Sequence, residues 1–257
     1  MTLTFFAMFG TFFLVAQYFQ LVLGYSPLKS GLLQLPMAMI MMVVAPRAPK
    51  LVARFGVNRV VSTGLLSTGV GLFVFSQMQT DSPLAFIYLS IVPLAFGMAM
   101  TMTPLTTLIM ASVPLNRAGV GSAMNDTTRE LGGALGVAIL GSVVTSVYAN
   151  DISSVASRIP DPSARAAVES GLPGATEFAR RAPESLSQFA GEVLDASKHA
   201  FVDGMSLAAL VGAAVVVLAS VMAYRLLPRR TATEQFPPHP ETGDPDLDVQ
   251  VAASPVD

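Results

Sequence analysis

Between Asn125 and Glu130, six polar side chains (Asn125, Asp126, Thr127, Thr128, Arg129 and Glu130) interrupt an otherwise apolar stretch, and Leu-Gly-Gly-Ala-Leu-Gly-Val-Ala follows them. On a helix Asn125 and Asp126 lie one turn from Arg129, and Asp126 and Glu130 are four residues apart. A local network could therefore hold the guanidinium with two carboxylates. Counting about 1.5 Å per residue from a helix start near Gly119 predicts Arg129 about 15 Å along the axis, near mid-bilayer. A charge at that depth requires a paired or hydrated interior. An arginine beside acids there suits a proton relay or a site for a charged substrate, because hydration and pairing shift a carboxylate's affinity for protons. A structural ion-pair knot near the inner mouth meets the same constraints, and depth decides between them. Gln17, Gln20 and Gln34 either line the same cavity or bond neighbouring helices. Gly132 and Gly136, with Gly133 beside them, form a small-residue face that lets another helix approach closely.

The elements that must position these residues are membrane spans. The chain has 257 residues, 52% of them apolar and only 12% charged, about half the charged fraction of a soluble domain. Met1 to Asn125 holds six basic residues and one acid, Asp81. Spans need about 20 apolar residues to cover roughly 30 Å of hydrocarbon. Six such windows are expected, at about 2–23, 30–50, 60–80, 84–112, 119–149 and 203–225, giving an all-α polytopic membrane domain over 1–228. In the fourth, Pro93 and Pro104 each remove a backbone donor, which lipid tolerates only inside a bundle. That window also carries Met98, Met100, Met102, Phe86, Tyr88 and Phe96, read either as packing and lipid contact or as an adaptable surface for lipophilic ligands.

Six crossings put both termini on one side. Arg47, Lys50, Arg54, Arg59, Arg117 and Arg225 then mark that side as cytoplasmic, with Arg229 and Arg230 at the start of the tail. A loop at 150–201 falls outside, and within it Asp161-Pro162 reads as a helix start that Gly171 ends. Leu186, Phe189, Val193 and Leu194 recur at helical spacing before the last span. The tail at 229–257 is proline-rich and acidic, the composition of a disordered segment. An abrupt first span at Met1 fits either a complete chain or a piece of a longer one.

Several function classes are excluded by what is missing. No cysteine and only two histidines, His199 and His239, leave no thiolate site and almost no material for a metal centre or a Ser-His-acid triad. A net charge of −2 gives no basic excess for nucleic acid. No enzyme chemistry, metal or organic cofactor is expected.

Three stretches carry a family resemblance. Tyr18-Phe-Gln-Leu-Val-Leu-Gly-Tyr-Ser-Pro-Leu-Lys-Ser-Gly-Leu-Leu-Gln-Leu-Pro36, Leu51-Val-Ala-Arg-Phe-Gly-Val-Asn-Arg59, and Arg117-Ala-Gly-Val-Gly-Ser-Ala-Met-Asn-Asp-Thr-Thr-Arg-Glu-Leu-Gly-Gly-Ala-Leu-Gly-Val-Ala138 occur in the expected order. They resemble the 14-span drug:proton antiporters of the major facilitator superfamily, the EmrB/QacA-type efflux pumps. The resemblance covers the final six spans of such a transporter. It implies one half-bundle of a major facilitator fold, with spans 1–3 and 4–6 related as an inverted repeat. It further implies proton-driven export of lipophilic or cationic small molecules, with Asn125, Asp126, Arg129 and Glu130 in the cavity. Arg54, Gly56 and Arg59 become a cytoplasmic gating loop. The implied partners are a small-molecule substrate, protons, the lipid bilayer of the cell membrane, and a missing N-terminal half or a second copy. Ala53 replaces the loop's usual acid and Pro49 its leading glycine, while Glu130 stands where the family commonly has Gln. A non-transporting membrane subunit or inactive remnant is the alternative.

Overall fold

Long apolar runs with few internal breakers give long helices, and nine helices account for most of the residues that the computed structural model describes, 1–183 and 186–227. The expected tail at 229–257, with Arg229 and Arg230, lies outside the described residues. Helix α1 (Thr2–Gln17) continues through a π-helical turn at Tyr18–Val22. Helix α2 (Pro27–Val44) starts on a Ser26 hydroxyl that accepts from the Lys29 amide, with Pro27 at the first helical position. A short turn at Ala45–Arg47 joins it to α3 (Ala48–Phe55). Then come α4 (Val57–Phe75), α5 (Leu84–Ala111), α6 (Ala118–Ala156), α7 (Pro162–Glu169), α8 (Leu172–Arg181) and α9 (Ser187–Leu226). Among the described residues, six helical stretches are long and apolar enough to cross a membrane.

Two of these far exceed a bilayer. At about 1.5 Å per residue, α6 with 39 residues and α9 with 40 run about 60 Å, twice the hydrocarbon thickness. The windows expected at 119–149 and 203–225 are therefore only parts of these helices. No proline occurs in either, so nothing stops α6 before Ser157 or delays α9 beyond Ser187. The connection expected at 150–201 is accordingly mostly helical. Helix α5 stays continuous through Pro93 and Pro104, and the Ser67 hydroxyl of α4 donates to the Pro93 carbonyl at 2.9 Å.

Small residues set how the helices pack. Helix α4 lies antiparallel to α5, where a Cβ on Gly64 would stand 2.9 Å from Met100 Cβ and one on Gly71 2.8 Å from the Leu94 nitrogen. On its other side α4 meets α9, and Ser220 donates across to the Ser62 carbonyl at 2.8 Å. Helix α9 also packs on α6, with Gly204 against the Val144 backbone. Helix α1 fills the angle between α6 and α9. Helix α2 packs against α5 and is the least buried of the six stretches.

Candidate functional site

Helices α1 and α6 run parallel in fixed register. Gly132 abuts the Thr2 carbonyl and Phe5, Gly136 abuts the Phe6 backbone, and Gly10 faces the Leu140 side chain. Gly133 lies against the Phe9 ring, where an added Cβ would stand 3.0 Å away. Arg129, three residues or about 4.5 Å before Gly132, is thus level with the first turn of α1, and its guanidinium carbon stands 5.6 Å from the centre of the Phe5 ring. The same first turn shares a cavity with Val61 and Leu65 near the start of α4 and with Ala219 to Leu227 at the end of α9. Arg129 therefore lies at the end of the bundle that carries Arg59 and Arg225. The depth of that level in a bilayer depends on where the membrane crosses α6, which a helix of about 60 Å does not fix by its own length.

At this basic end Asp126, Arg129 and Glu130 are exposed along α6, while Asn125 is half-buried with its Oδ1 buried and unpartnered. No ion pair reaches Arg129 among the described residues. Thr128 turns its hydroxyl back onto the Met124 and Asn125 carbonyls. The glutamines are not gathered with this cluster. Gln17 sits at the far end of α1, about 27 Å along the axis from Arg129 by the same register, and Gln20 lies beyond it in the π-helical turn. Gln34 is half-buried on α2 and donates to the Ser30 carbonyl at 3.3 Å.

The connection between α3 and α4 is the single residue Gly56. It is buried, and its φ of 85° and ψ of 153° fall in a region open essentially to glycine alone. Arg54 and Arg59 flank it, both exposed. Arg54 stands 5.2 Å from the Phe55 ring, and the Arg59 carbonyl receives the Ser62 and Thr63 hydroxyls. Neither arginine has an ion pair among the described residues.

At the opposite end, α7 and α8 fold over the protruding parts of α6 and α9. Asp161 caps α7 by accepting from the Ser163 and Ala164 amides, and the Ser163 hydroxyl with those amides holds its carboxyl below the usual range. Tyr148 donates to the Val168 carbonyl at 2.8 Å, and Arg158 pairs with Glu192 at 2.6 Å. Ile152, Ala156, Val168, Leu172 and Val193 are buried among these elements. The sequence signalled the α7 cap but not this docking, because the contacts join residues about 20 to 50 apart.

A model of the Major Facilitator Superfamily matches residues 1–137, more than half of the chain. The chain belongs to the Major Facilitator Superfamily. Among curated superfamily relatives, the multidrug efflux pump LfrA of Mycolicibacterium smegmatis is 32% identical over 213 residues, covering 83% of this chain and 41% of the relative. The tetracenomycin C resistance and export protein of Streptomyces glaucescens is 31% identical, over 92% of this chain and 45% of its own length. The drug efflux pump JefA of Mycobacterium tuberculosis is 34% identical, over 88% and 46%. The chain thus spans less than half the length of these relatives. With the superfamily membership and the six apolar helices, it is a transporter-family membrane protein.

Proposed function

We propose that this chain is the C-terminal six-span half of a 14-span drug:proton antiporter that exports lipophilic or cationic small molecules across the cell membrane. The observation that carries the reading is the open polar face of α6: Asp126, Arg129 and Glu130 are exposed in a chain spanning less than half of the drug exporters it resembles. Charges beside apolar helices are costly against lipid, and a second bundle packed there would turn them into the wall of a hydrated mouth.

In this reading the basic end faces the cytoplasm, by the excess of arginine and lysine there, and both termini lie on that side. A carboxylate of Asp126 or Glu130 carries the coupled proton, and Arg129 shares the same exposed face of α6. The substrate, the proton, the bilayer and the other half are the partners, and no organic cofactor or nucleic acid is involved. A second reading, a non-transporting subunit or remnant, is favoured by Ala53 standing where the resemblance expects the loop acid and by Arg54 and Arg59 lacking an ion pair among the described residues.

Arg129→Ala and Glu130→Gln, made in the chain joined to an upstream half, test the assignment through ΔpH-driven ethidium efflux from vesicles. Each is expected to lower the rate at least about tenfold, against about 1.4 kcal/mol of barrier. Unchanged rates in both remove these residues from the mechanism, and no efflux from any joined form supports the non-transporting reading.

A further inference from the structure

Helices α1 and α6 touch backbone to backbone at their basic end and part towards the other. A Cβ on Gly136 would collide with the Phe6 carbonyl, whereas one on Gly141 would meet only the Phe13 ring, at 3.4 Å. The gap that opens there is walled by Phe13, Tyr148 and Phe201 and roofed by Gly171, Leu172 and Pro173 at the start of α8. Gly171, at a φ of 146°, lets the chain turn back over it. We infer that this gap, between α1, α6 and the α7–α8 cap, is a binding site for compact uncharged aromatic molecules of one or two rings.

Size, charge and polarity each narrow the ligand. The cavity holds about 260 Å³. An apolar cavity of about 150 Å³ accepts benzene, and drug-sized ligands occupy about 300 Å³ or more. No Asp, Glu, Lys, Arg or His lines it, so nothing offsets the desolvation of a charged guest. The Tyr148 and Thr145 hydroxyls already donate to the Val168 and Gly141 carbonyls. The side chain of Gln17, half-buried on the wall, makes no hydrogen bond to another described residue and offers one amide to a ring N–H or O–H. The half-buried Phe13 ring beside Gly141, under Leu172 and Pro173, suits a flat ring better than a flexible acyl chain. The site is separate from Asn125 to Glu130 and does not depend on the export reading.

Indole is a suitable probe, because the chain contains no tryptophan and so adds no indole emission to that of the empty nanodiscs. The full chain in nanodiscs, titrated with indole against empty nanodiscs, is expected to bind saturably. Gly141→Leu and Thr145→Phe, which fill the gap, each lower the affinity at least about tenfold. Gln17→Leu lowers indole affinity about three- to tenfold and leaves naphthalene unaffected. Ala223→Leu, in the cavity at the basic end, leaves both unchanged. Circular dichroism and gel filtration select folded variants, and Thr145→Phe, at an exposed position, keeps the test intact should Gly141→Leu fail to fold. Partitioning no different from empty nanodiscs, or equal binding in both filled variants, overturns the site. Saturable binding in detergent that disappears in nanodiscs assigns the gap to lipid acyl chains and overturns it equally.

Discussion

Single atoms decide how close these helices come. Gly136 has the Phe6 carbonyl where a Cβ would be, and backbone cannot swing aside as a side chain can. Gly136→Val is therefore expected to force α1 and α6 apart, at the upper end of overpacking costs, about 3 kcal/mol. The readout is a lower thermal midpoint in detergent. Gly119, also on α6, has nothing within 4 Å of an added Cβ. Gly119→Ala should raise stability by roughly 0.5–1 kcal/mol through a less flexible unfolded chain. Equal effects of the two substitutions would contradict the packing register. The sequence marked Gly132, Gly133 and Gly136 as a close-approach face but did not name the partner helix. Small residues advertise a contact without identifying what fills it.

At the scale of elements, the cap is a small folded unit outside the spans, and its first helix depends on one carboxylate. The Asp161 carboxyl titrates below its ordinary value because its charged form accepts hydrogen bonds from Ser163 and Ala164. A group whose pKa is lowered on folding contributes stability above its unfolded value, and that contribution is lost as pH falls through the folded one. Protection of the Ser163 and Ala164 amides against hydrogen exchange, corrected for the intrinsic pH trend, should thus be flat from neutral pH down to about 5 and fall below about 4. Asp161→Asn, which keeps a capping oxygen, should abolish the extra acid sensitivity while retaining most of the protection at neutral pH. A wild-type profile unchanged by that substitution would refute the link. Asp161-Pro162 was legible because a cap is a local pattern. The docking of α7 and α8 on α6 and α9 was not, since Tyr148 and Val168, or Arg158 and Glu192, meet only after the chain has turned back on itself.

At the scale of the whole molecule, the question is which end of each helix shares a level with which. Absence of cysteine makes single-cysteine labelling direct. Arg129→Cys, Arg59→Cys and Arg225→Cys should react with an impermeant maleimide added from one face of a sealed vesicle, and Gln20→Cys from the other. Arg129→Cys labelling from the Gln20 side, or not at all while Arg59→Cys reacts, would break the register that joins Gly132 to Thr2. Exposed apolar surface is extensive on the described chain, including Leu66, Val70 and Phe73 on α4 and Leu218 and Val221 on α9. Lipid covers such surface without a partner, so apolar exposure alone does not say where a second bundle docks. The charged face of α6 is what distinguishes one side from the rest.

The sequence by itself determined that the chain is helical, how many of its stretches are long and apolar enough to span a bilayer, and where the α7 cap begins. These are properties of a segment and its immediate neighbours: hydrocarbon thickness sets a length, and a side chain caps the turn beside it. Tertiary structure alone decided which turn of α1 Arg129 stands beside, the partner of the glycine face and the aromatic gap beneath the cap. A helix twice as long as the bilayer is thick has no depth of its own until packed neighbours fix it, and a cavity exists only between elements that sequence distance keeps apart.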